Sequence, residues 1–384
     1  MNAGWNEETP TGSHGTGMTK IFFVIPDLNS GGAQRVFVSL LQEFDRNRFD
    51  TTLVLLVPRT GHYYELVPKD IRVIQFAFKN TKNSLFTLYR LIRKERPDIV
   101  LSTLSHLNLI MAFIRIFSSR RILFVAREAN TISSSHKNEK LSWLFNALYR
   151  TIYSKLDFII CQSEYMKNDL IQHYAVDAKK TTVIYNPVTP LAEHLPNMGT
   201  QNLGATTMQL LSIGRLEPQK GFDRLLKIMY LLKDFPFHLR ILGEGGLKDK
   251  LVKLRNELGL GDKVEFLGIQ PDPFKYLRES HCFLLTSHYE GLPNVVLEAH
   301  ACGIPVIAFN SPGGTAELIE SGFNGWLIPD DDLEAFANKV RSREYLQLDS
   351  TLIREKTLMK YHPKKITREY EEVLLSTLQR HRIK

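Results

Sequence analysis

The sequence predicts an α/β protein built from two doubly wound parallel-sheet halves. Apolar runs of strand length alternate with helix-length stretches throughout, which is the pattern of parallel sheets covered by helices. A segment rich in Pro, Asn and Gly, from Asn186 to Thr207, divides these runs into two series. A chain of 384 residues also exceeds what one hydrophobic core normally holds. Two such halves leave a cleft between them, and ligands bind at the carboxyl ends of the strands.

The two series of predicted strands follow from the short apolar runs. The first series comprises residues 20–25, 51–57, 72–75, 99–102, 123–126, 158–161 and 182–185. The second comprises residues 209–214, 238–243, 264–267, 282–286, 305–308 and 325–328. Residues 1–17 lack periodicity and are rich in Gly, Thr, Asn and Glu, so we expect a disordered leader. The predicted domains are therefore residues 18–188 and 189–363.

Composition indicates an intracellular protein. No apolar segment is long enough to span a bilayer, and no basic start precedes an apolar run with a cleavage site, so neither membrane spanning nor secretion is expected. The cysteines Cys161, Cys282 and Cys302 are far apart and lie in or near apolar runs. This placement predicts reduced core thiols in the cytosol.

The positive charge of the chain, +8 in total, is concentrated in its first half. Residues 79–127 contain ten Lys and Arg against two acids, and residues 85–94, 110–122 and 137–155 mix apolar and basic side chains. Such faces suit peripheral attachment to an anionic membrane surface. The alternative is a well-solvated face whose apolar residues pack on the sheet. A nucleic-acid-binding module has little support, because no recognition motif accompanies the charges.

Two glutamates predict a site for an activated sugar. Glu290 and Glu298 lie in EGLPNVVLE, residues 290–298, where Pro293 suits the first turn of a helix and places Glu298 about two turns in. Carboxylates suit sugar and ribose hydroxyls. The amides and positive dipole end of the helix start would attract a diphosphate, at Gly291, Leu292, Pro293, Asn294 and Val295. The alternative is a solvated loop acid and a helix-surface acid.

Two further loops could bind an anion. Gly31 and Gly32 follow the first strand, where backbone amides can approach an anion closely, although a structural turn is equally consistent. Gly214 ends the first strand of the second half, and Arg215 and Lys220 follow it. A forked cation and a point cation at one strand end suit a diphosphate, with ordinary surface charges as the alternative. The GxGxxG fingerprint and a GK[ST] loop are both missing.

The order of these motifs resembles the retaining GT-B glycosyltransferases of the glycogen-synthase-like type, glycosyltransferase family 4, in the branch that assembles bacterial polysaccharides and lipid-linked glycans. The similarity includes PGGTAE at 312–317, GFNGWL at 322–327 and VIYNP at 183–187, and covers nearly the whole chain after Met18. It implies two Rossmann-like domains facing a central cleft. Residues 18–188 would bind the acceptor and 189–363 the nucleotide sugar, with a helix at about 364–384 packing back on the first domain.

The resemblance also implies roles for the residues that match. Arg215 and Lys220 would bind the donor diphosphate and stabilise its charge as it leaves. Glu298 would hold the ribose and Glu290 the hydroxyls of the donor sugar. Gly31 and Gly32 would line the cleft near the diphosphate and acceptor.

Three residues of the first half are further candidates. His106 matches the histidine that approaches the transferred sugar in many family members, although a packed loop histidine is equally consistent and Asn108 is a competing polar contact. Arg127 ends a strand and is a candidate for an acceptor phosphate. A Glu128-paired or exposed arginine is the ordinary alternative.

The implied reaction moves a hexose or N-acetylhexosamine from a UDP-linked donor to a hydroxyl of a polyprenyl-diphosphate-linked saccharide at the cytoplasmic face of the membrane. The chain offers no matched carboxylate pair for a covalent sugar intermediate, so the resemblance favours front-face attack with retention. No Asp-x-Asp occurs outside the turn at 330–332, so no metal or other cofactor is expected. The alternative is a sugar-nucleotide epimerase of related architecture, which needs no acceptor.

Overall fold

The computed structural model divides the chain into two compact units. Unit 1 comprises Met1–Pro187 and Pro363–Lys384, and unit 2 comprises Val188–His362. The structure describes residues 6–8, 17–29, 31–57, 61, 63–78, 84–135, 142–189 and 206–383. Most of the predicted linker, residues 190–205, lies outside this described part of the chain.

Unit 1 contains an eight-stranded sheet that is parallel except at one edge. Its order is β1-β4-β3-β2-β5-β6-β7-β8, and β1 pairs antiparallel with β4. The strands are β1 Asn6–Glu8, β2 Thr19–Ile25, β3 Phe49–Leu55, β4 Arg72–Gln75, β5 Ile99–Thr103, β6 Leu123–Arg127, β7 Phe158–Cys161 and β8 Thr181–Val183.

Helices cover both faces of this sheet. They are α1 Gly32–Glu43, α2 Leu85–Glu95, α3 Ser105–Phe117, α4 Ile132–Ser135, α5 Ser142–Thr151, α6 Glu164–Tyr174 and α13 Pro363–Ile383. Successive residues of a strand point to opposite faces, so Phe22 and Val24 of β2 pack with α2, α3 and α6, whereas Ile21 and Phe23 pack with α1 and α13. This two-sided burial explains why the strands read as continuous apolar runs.

Unit 2 contains a six-stranded parallel sheet with the order β11-β10-β9-β12-β13-β14. Its strands are β9 Met208–Ile213, β10 Phe237–Leu242, β11 Val264–Gly268, β12 Cys282–Leu285, β13 Val306–Phe309 and β14 Gly325–Ile328. Its helices are α7 Phe222–Leu231, α8 Lys248–Glu257, α9 Pro273–Arg278, α10 Asn294–Ala301, α11 Leu333–Ser342 and α12 Ser350–Lys360. The three cysteines of the chain are buried free thiols.

The structure corrects one prediction at the amino-terminal edge. Residues 1–17 were expected to be disordered, but Asn6–Glu8 form β1, because this segment completes the hydrogen bonding of β4. The Glu7 carboxylate also accepts a 2.7 Å hydrogen bond from Arg72. The rest of the leader before residue 17 lies outside the described residues. Among the helices that are described, none combines the length and apolarity needed to cross a bilayer.

Candidate functional site

The predicted donor residues of unit 2 lie at the topological switch point of its sheet. The chain leaves β9 toward β10 on one side, whereas β12 is the neighbour of β9 on the other side. The loops after β9 and β12 therefore diverge from one place at the carboxyl edge, which is where open α/β sheets bind ligands. The first loop carries Gly214, Arg215 and Lys220, and the second carries Glu290.

An ion pair joins these two loops. Lys220 Nζ lies 2.6 Å from Glu290 Oε1, and Ser287 Oγ donates to the same oxygen, also at 2.6 Å. The lysine stem runs beside Gly214, where an added Cβ would lie 3.4 Å from Lys220 Cγ and Cδ. The sequence placed Lys220 and Glu290 in one site, and the structure brings them into direct contact. Ser287 was not predicted, although it precedes Glu290 by three residues.

Backbone hydrogen bonds fix the glutamate loop against both of its neighbours. His288 N donates to Gln219 O at 2.8 Å in the loop after β9. Glu290 N donates to Pro312 O at 3.0 Å in the loop after β13. Gly313 has a φ of 127°, and a Cβ on it would lie 1.9 Å from the Glu290 carbonyl oxygen. Only glycine fits there, because a side chain would displace the loop that carries the carboxylate.

Arg224 of α7 also holds the glutamate loop, a role that no sequence pattern predicted. Its guanidinium is buried and donates to the carbonyl oxygens of Thr286, at 2.6 Å, and Ser287. It also pairs with Asp330 at 2.9 Å and lies 4.2 Å from the Phe309 ring centroid. In the sequence FDRLL, this arginine is indistinguishable from a solvated helix residue. Its contacts depend on strands that are distant along the chain.

The second glutamate lies on α10, nearer the helix start than predicted. Pro293 is the N-cap with a ψ of 104°, so the helix begins at Asn294 and Glu298 lies about one turn in, not two. Proline was expected inside the first turn, but its extended ψ places it before the helix. Glu298 and Glu290 are 3% and 5% exposed, so the alternative of two solvated acids is wrong. The first turn of α10, where the positive end of the helix dipole lies, contains no acid.

Arg215 differs from Lys220 in its surroundings. It is exposed in the loop after β9, and none of the described residues forms an ion pair with its guanidinium. Arg215 and Lys220 therefore lie on one loop, and of these two cations only Lys220 forms an ion pair with Glu290. An exposed guanidinium at this edge keeps all of its donors available to an anion.

The predicted residues of unit 1 also lie at a switch point, between β2 and β5. Gly32 begins α1 after β2, preceded by Gly31, and His106 is the second residue of α3 after β5. His106 is exposed, so the alternative of a packed histidine is wrong. Desolvation by neighbouring protein atoms lowers the pKa of its imidazole, and the charge of Asp27 opposes that shift. A neutral imidazole can both donate and accept a hydrogen bond.

The structure overturns the acceptor-phosphate hypothesis for Arg127. This residue is fully buried, and its guanidinium donates to Thr103 Oγ1 at 3.2 Å and to Asn186 Oδ1 at 2.7 Å. Asn108 is also buried and donates to the Arg127 carbonyl oxygen at 3.0 Å. Both side chains therefore satisfy backbone and side-chain groups inside unit 1. Burial raises the pKa of the adjacent Glu128, while hydrogen bonds from Ser105 and other groups oppose that rise.

Two family models match successive parts of the chain. The model for Glycosyltransferase Family 4 matches residues 30–190, and the model for Glycosyl transferases group 1 matches residues 199–353. Together with the two-sheet architecture and the switch-point glutamates, these matches define a glycosyltransferase of the GT-B class. The chain belongs to the family 4 type of glycosyltransferases.

The chain is similar in sequence to bacterial glycosyltransferases. The chain is 29% identical, over 82% of its own length and 87% of the relative's, to an enzyme of Campylobacter jejuni, N-acetylgalactosamine-N,N'-diacetylbacillosaminyl-diphospho-undecaprenol 4-alpha-N-acetylgalactosaminyltransferase. It is 25% identical, over 93% of its length and 100% of the relative's, to the amylovoran biosynthesis glycosyltransferase AmsD of Erwinia amylovora.

Solved structures show the same fold. The lipopolysaccharide outer core galactosyltransferase WaaB superimposes with a TM-score of 0.75 at 19% identity, covering 94% of this chain and 99% of WaaB. Anabaena HepE in complex with UDP and glucose superimposes with a TM-score of 0.73 at 21% identity, covering 93% of this chain and all of HepE.

Proposed function

We propose that the protein is a retaining glycosyltransferase that moves a hexose or N-acetylhexosamine from a UDP-linked donor to a hydroxyl of a lipid-linked saccharide. The observation that carries this proposal is the contact of Lys220 with Glu290 at the switch point of unit 2, three residues before the N-cap of α10. A cation, a buried carboxylate and a helix start then share one edge of the sheet. These are the groups that a sugar diphosphate needs.

Donor binding uses each of these groups for a different part of the ligand. Lys220 and Arg215 bind the diphosphate together with the amides at the start of α10, namely those of Gly291, Leu292, Asn294 and Val295. Lys220 then exchanges a carboxylate partner for a phosphate. Glu290 accepts hydrogen bonds from hydroxyls of the transferred sugar, and Glu298 accepts those of the ribose.

The bond changes follow from the retention that we propose. The bond between the anomeric carbon and the diphosphate oxygen breaks, and the electron pair leaves with the diphosphate. The acceptor hydroxyl oxygen bonds to the anomeric carbon on the same face, and its proton passes to the departing phosphate oxygen. Lys220 and Arg215 stabilise the charge that develops on this leaving group without a metal. In this proposal the backbone at Gly31 and Gly32 lies near the diphosphate and the acceptor. The His106 side chain approaches the transferred sugar.

The proposed acceptor is a polyprenyl-diphosphate-linked saccharide. The Campylobacter jejuni relative is named for a diphospho-undecaprenol-linked acceptor, and the two sequences align over most of both chains. Such an acceptor is anchored in the bilayer, so we place the protein peripherally at the inner face of the cell membrane. The basic bias of unit 1 supports attachment to anionic lipid.

The test is a transfer assay with purified protein. A screen of UDP, GDP and ADP sugars by thermal shift selects the donor, and UDP sugars should stabilise the protein most. The selected donor is then incubated with an undecaprenyl-diphosphate-linked saccharide, with and without EDTA. We expect an α-linked product from an α-linked donor at equal rates in both samples. Inversion or loss of activity in EDTA would refute that part of the mechanism, and conversion of the donor without acceptor would identify an epimerase.

A further inference from the structure

The outer side of α2 and α3 in unit 1 combines exposed apolar and basic side chains. The apolar ones have exposed fractions of 63% for Phe86, 39% for Phe113, 48% for Ile116 and 61% for Phe117. Exposed basic residues lie on the same helices or directly after α3, namely Arg90, Arg93, Lys94, Arg120 and Arg121. We call these nine residues the α2–α3 patch.

The two helices form one continuous surface. Their inner sides pack into the same core, with Leu88 and Leu91 from α2 and Leu107 from α3. Tyr89 Oη of α2 donates to the Phe117 carbonyl oxygen of α3 at 3.5 Å. Phe113 and Phe117 are one turn apart, and their ring centroids are separated by 5.3 Å. The exposed sides of α2 and α3 are therefore adjacent on one side of unit 1.

The apolar residues of the patch are concentrated rather than scattered. Among the described residues of unit 1, eight large hydrophobic side chains are exposed, and four of these belong to α2 and α3. Isolated exposed hydrophobic residues are ordinary, whereas contiguous ones mark an interaction surface. The Arg90 guanidinium lies 4.5 Å from the Phe86 ring centroid, so charge and aromatic surface are interleaved.

Two acids near the patch, Glu95 and Asp157, are paired with cations outside it. Glu95 is the acid within α2, and α3 has none. Arg72 and Lys20 hold the Glu95 carboxylate at 2.8 and 3.0 Å and lower its pKa to about 2. Asp157 is bonded by Arg115 at 2.6 Å. Neither of these two acids forms an ion pair with a cation of the patch.

We propose that the α2–α3 patch is the surface by which the protein binds an anionic phospholipid bilayer. The apolar side chains enter the boundary between headgroups and acyl chains, and the five basic residues contact lipid phosphates. Exposed Ile116 favours a bilayer over a nucleic acid, because its aliphatic side chain cannot stack on a base. This assignment rests on the membrane attachment proposed above and identifies the residues responsible.

The test is flotation of the protein with vesicles. Wild type should float with phosphatidylglycerol and phosphatidylethanolamine, less so at high salt, and hardly with phosphatidylcholine alone. The double variant Arg90→Gln, Arg93→Gln should bind anionic vesicles about thirtyfold more weakly, since each basic residue near the surface contributes about fivefold. The variant Phe86→Ser, Phe117→Ser should lose the binding that persists at high salt.

A matched control uses an aromatic and a cation on unit 2. Tyr230 and Lys233 lie 5.3 Å apart, ring centroid to ammonium, on its surface, so Tyr230→Ser, Lys233→Gln removes the same chemistry elsewhere. This variant should float like wild type. Equal flotation of wild type and both patch variants would overturn the proposal. So would patch variants that change the oligomeric state without changing lipid binding, which would identify an interface between proteins.

The outcome is separable from that of the sugar-transfer proposal. UDP affinity and transfer to a short water-soluble acceptor are measured on the same variants without vesicles. Unchanged values alongside lost flotation support the patch and leave the chemistry intact. Flotation of wild type without any transfer would refute the proposed reaction and not the patch.

Discussion

At the scale of single residues, the carboxylate of Glu290 is positioned before any donor arrives. Lys220 and Ser287 both donate to its Oε1 at 2.6 Å, and hydrogen bonds to a charged acceptor are stronger than neutral ones. A preplaced group loses little freedom when a ligand binds, so its interaction is available to the transition state. The same ion pair balances the charge at the carboxyl edge of the unit 2 sheet until Lys220 changes partner.

Glu290→Gln should reduce kcat/KM for sugar transfer by about 10²-fold, because a neutral amide keeps the shape but weakens the hold on sugar hydroxyls. Steady-state kinetics measure this loss. Thermal unfolding should change little, since Ser287 still finds an oxygen to donate to. The control is Glu279→Gln, which removes a surface carboxylate paired with Arg240 at 2.6 Å in the same unit. Similar kinetics in both variants would exclude a role for Glu290 in transfer.

The roles of Lys220 and Glu290 in donor binding stay predictions, but residue type and strand end were enough to single out these two side chains. Lys220 and Glu290 were both identified from loops that follow apolar runs, and the structure brings them together. Arg224 was missed because its contacts need the pairing of β9 with β12, which no local pattern encodes. Ser287 was missed although its contact with Glu290 spans only three residues. Arg127 was misjudged for the related reason that burial depends on α13 and Asn186, both distant in sequence.

At the scale of elements, the loop after β13 controls the position of the glutamate loop. Gly313→Ala should abolish most transfer, because its Cβ would lie 1.9 Å from the Glu290 carbonyl oxygen. Gly322→Ala is the matched control, since Gly322 has a φ of 82° but open space around a Cβ. It should lose about 1–2 kcal/mol of stability from the left-handed backbone and keep its activity. Kinetics and urea unfolding of both variants measure these effects, and equal activities would contradict the steric argument.

Helix α10 carries a buried histidine, His300, which should make the stability of unit 2 depend on pH. His300 donates from Nε2 to the Asn324 carbonyl oxygen at 3.0 Å, and burial lowers its pKa to about 4 from an ordinary 6.5. Between these values the unfolded chain binds a proton that the folded chain does not. The stability of unit 2 should therefore fall by about 3 kcal/mol as the pH falls from 6.5 to 4.

His300→Gln tests this linkage, because glutamine keeps a donor for Asn324 but does not titrate in this range. Urea unfolding at pH 7 and pH 5, followed by hydrogen exchange in peptides of unit 2, should show a smaller pH effect in the variant. If the free energy of unfolding fell equally between pH 7 and pH 5 in the variant and in wild type, other groups would cause the pH dependence.

Strand positions were the most predictable elements. Every predicted strand has a counterpart in the structure, and those at 72–75, 158–161 and 325–328 match at both ends. β1 was missed because a short polar edge strand has no apolar pattern, and its pairing partner β4 supplies the reason for its structure. The start of α10 was displaced by one residue because local sequence does not fix whether a proline precedes or enters a helix.

At the scale of the whole molecule, the core of unit 1 is completed by α13. Tyr370, Leu374 and Leu378 from this helix pack with β2, β3 and α1. Glu371 accepts a 2.7 Å hydrogen bond from Asp45 N and pairs with Arg48 at 3.3 Å. The GT-B fold class was predictable from the alternating pattern and motif order, whereas the buried face of α13 depends on partners more than 300 positions earlier.

Leu374→Ala should destabilise unit 1 by about 2–5 kcal/mol, because it leaves a cavity in that core. Leu352→Ala in α12 is the control, as Leu352 is partly exposed in unit 2 and its truncation should cost less than about 0.5 kcal/mol. Peptide-resolved hydrogen exchange measures the stability of each unit in both variants. In Leu374→Ala, we expect amide protection to be lost in β2 of unit 1 and retained in β9 of unit 2. Loss of protection in β9 alone would contradict the assignment of α13 to unit 1.

The position of α13 in the chain also affects how a newly made molecule matures. Unit 2 occupies residues 188–362 without interruption, so all of its parts are available once that stretch has left the ribosome. Unit 1 has its remaining helix on the far side of that stretch. The hydrophobic surface beside α1 that α13 covers in the folded protein therefore stays exposed while the intervening segment is translated. We expect chaperones to bind the nascent amino-terminal half at this surface.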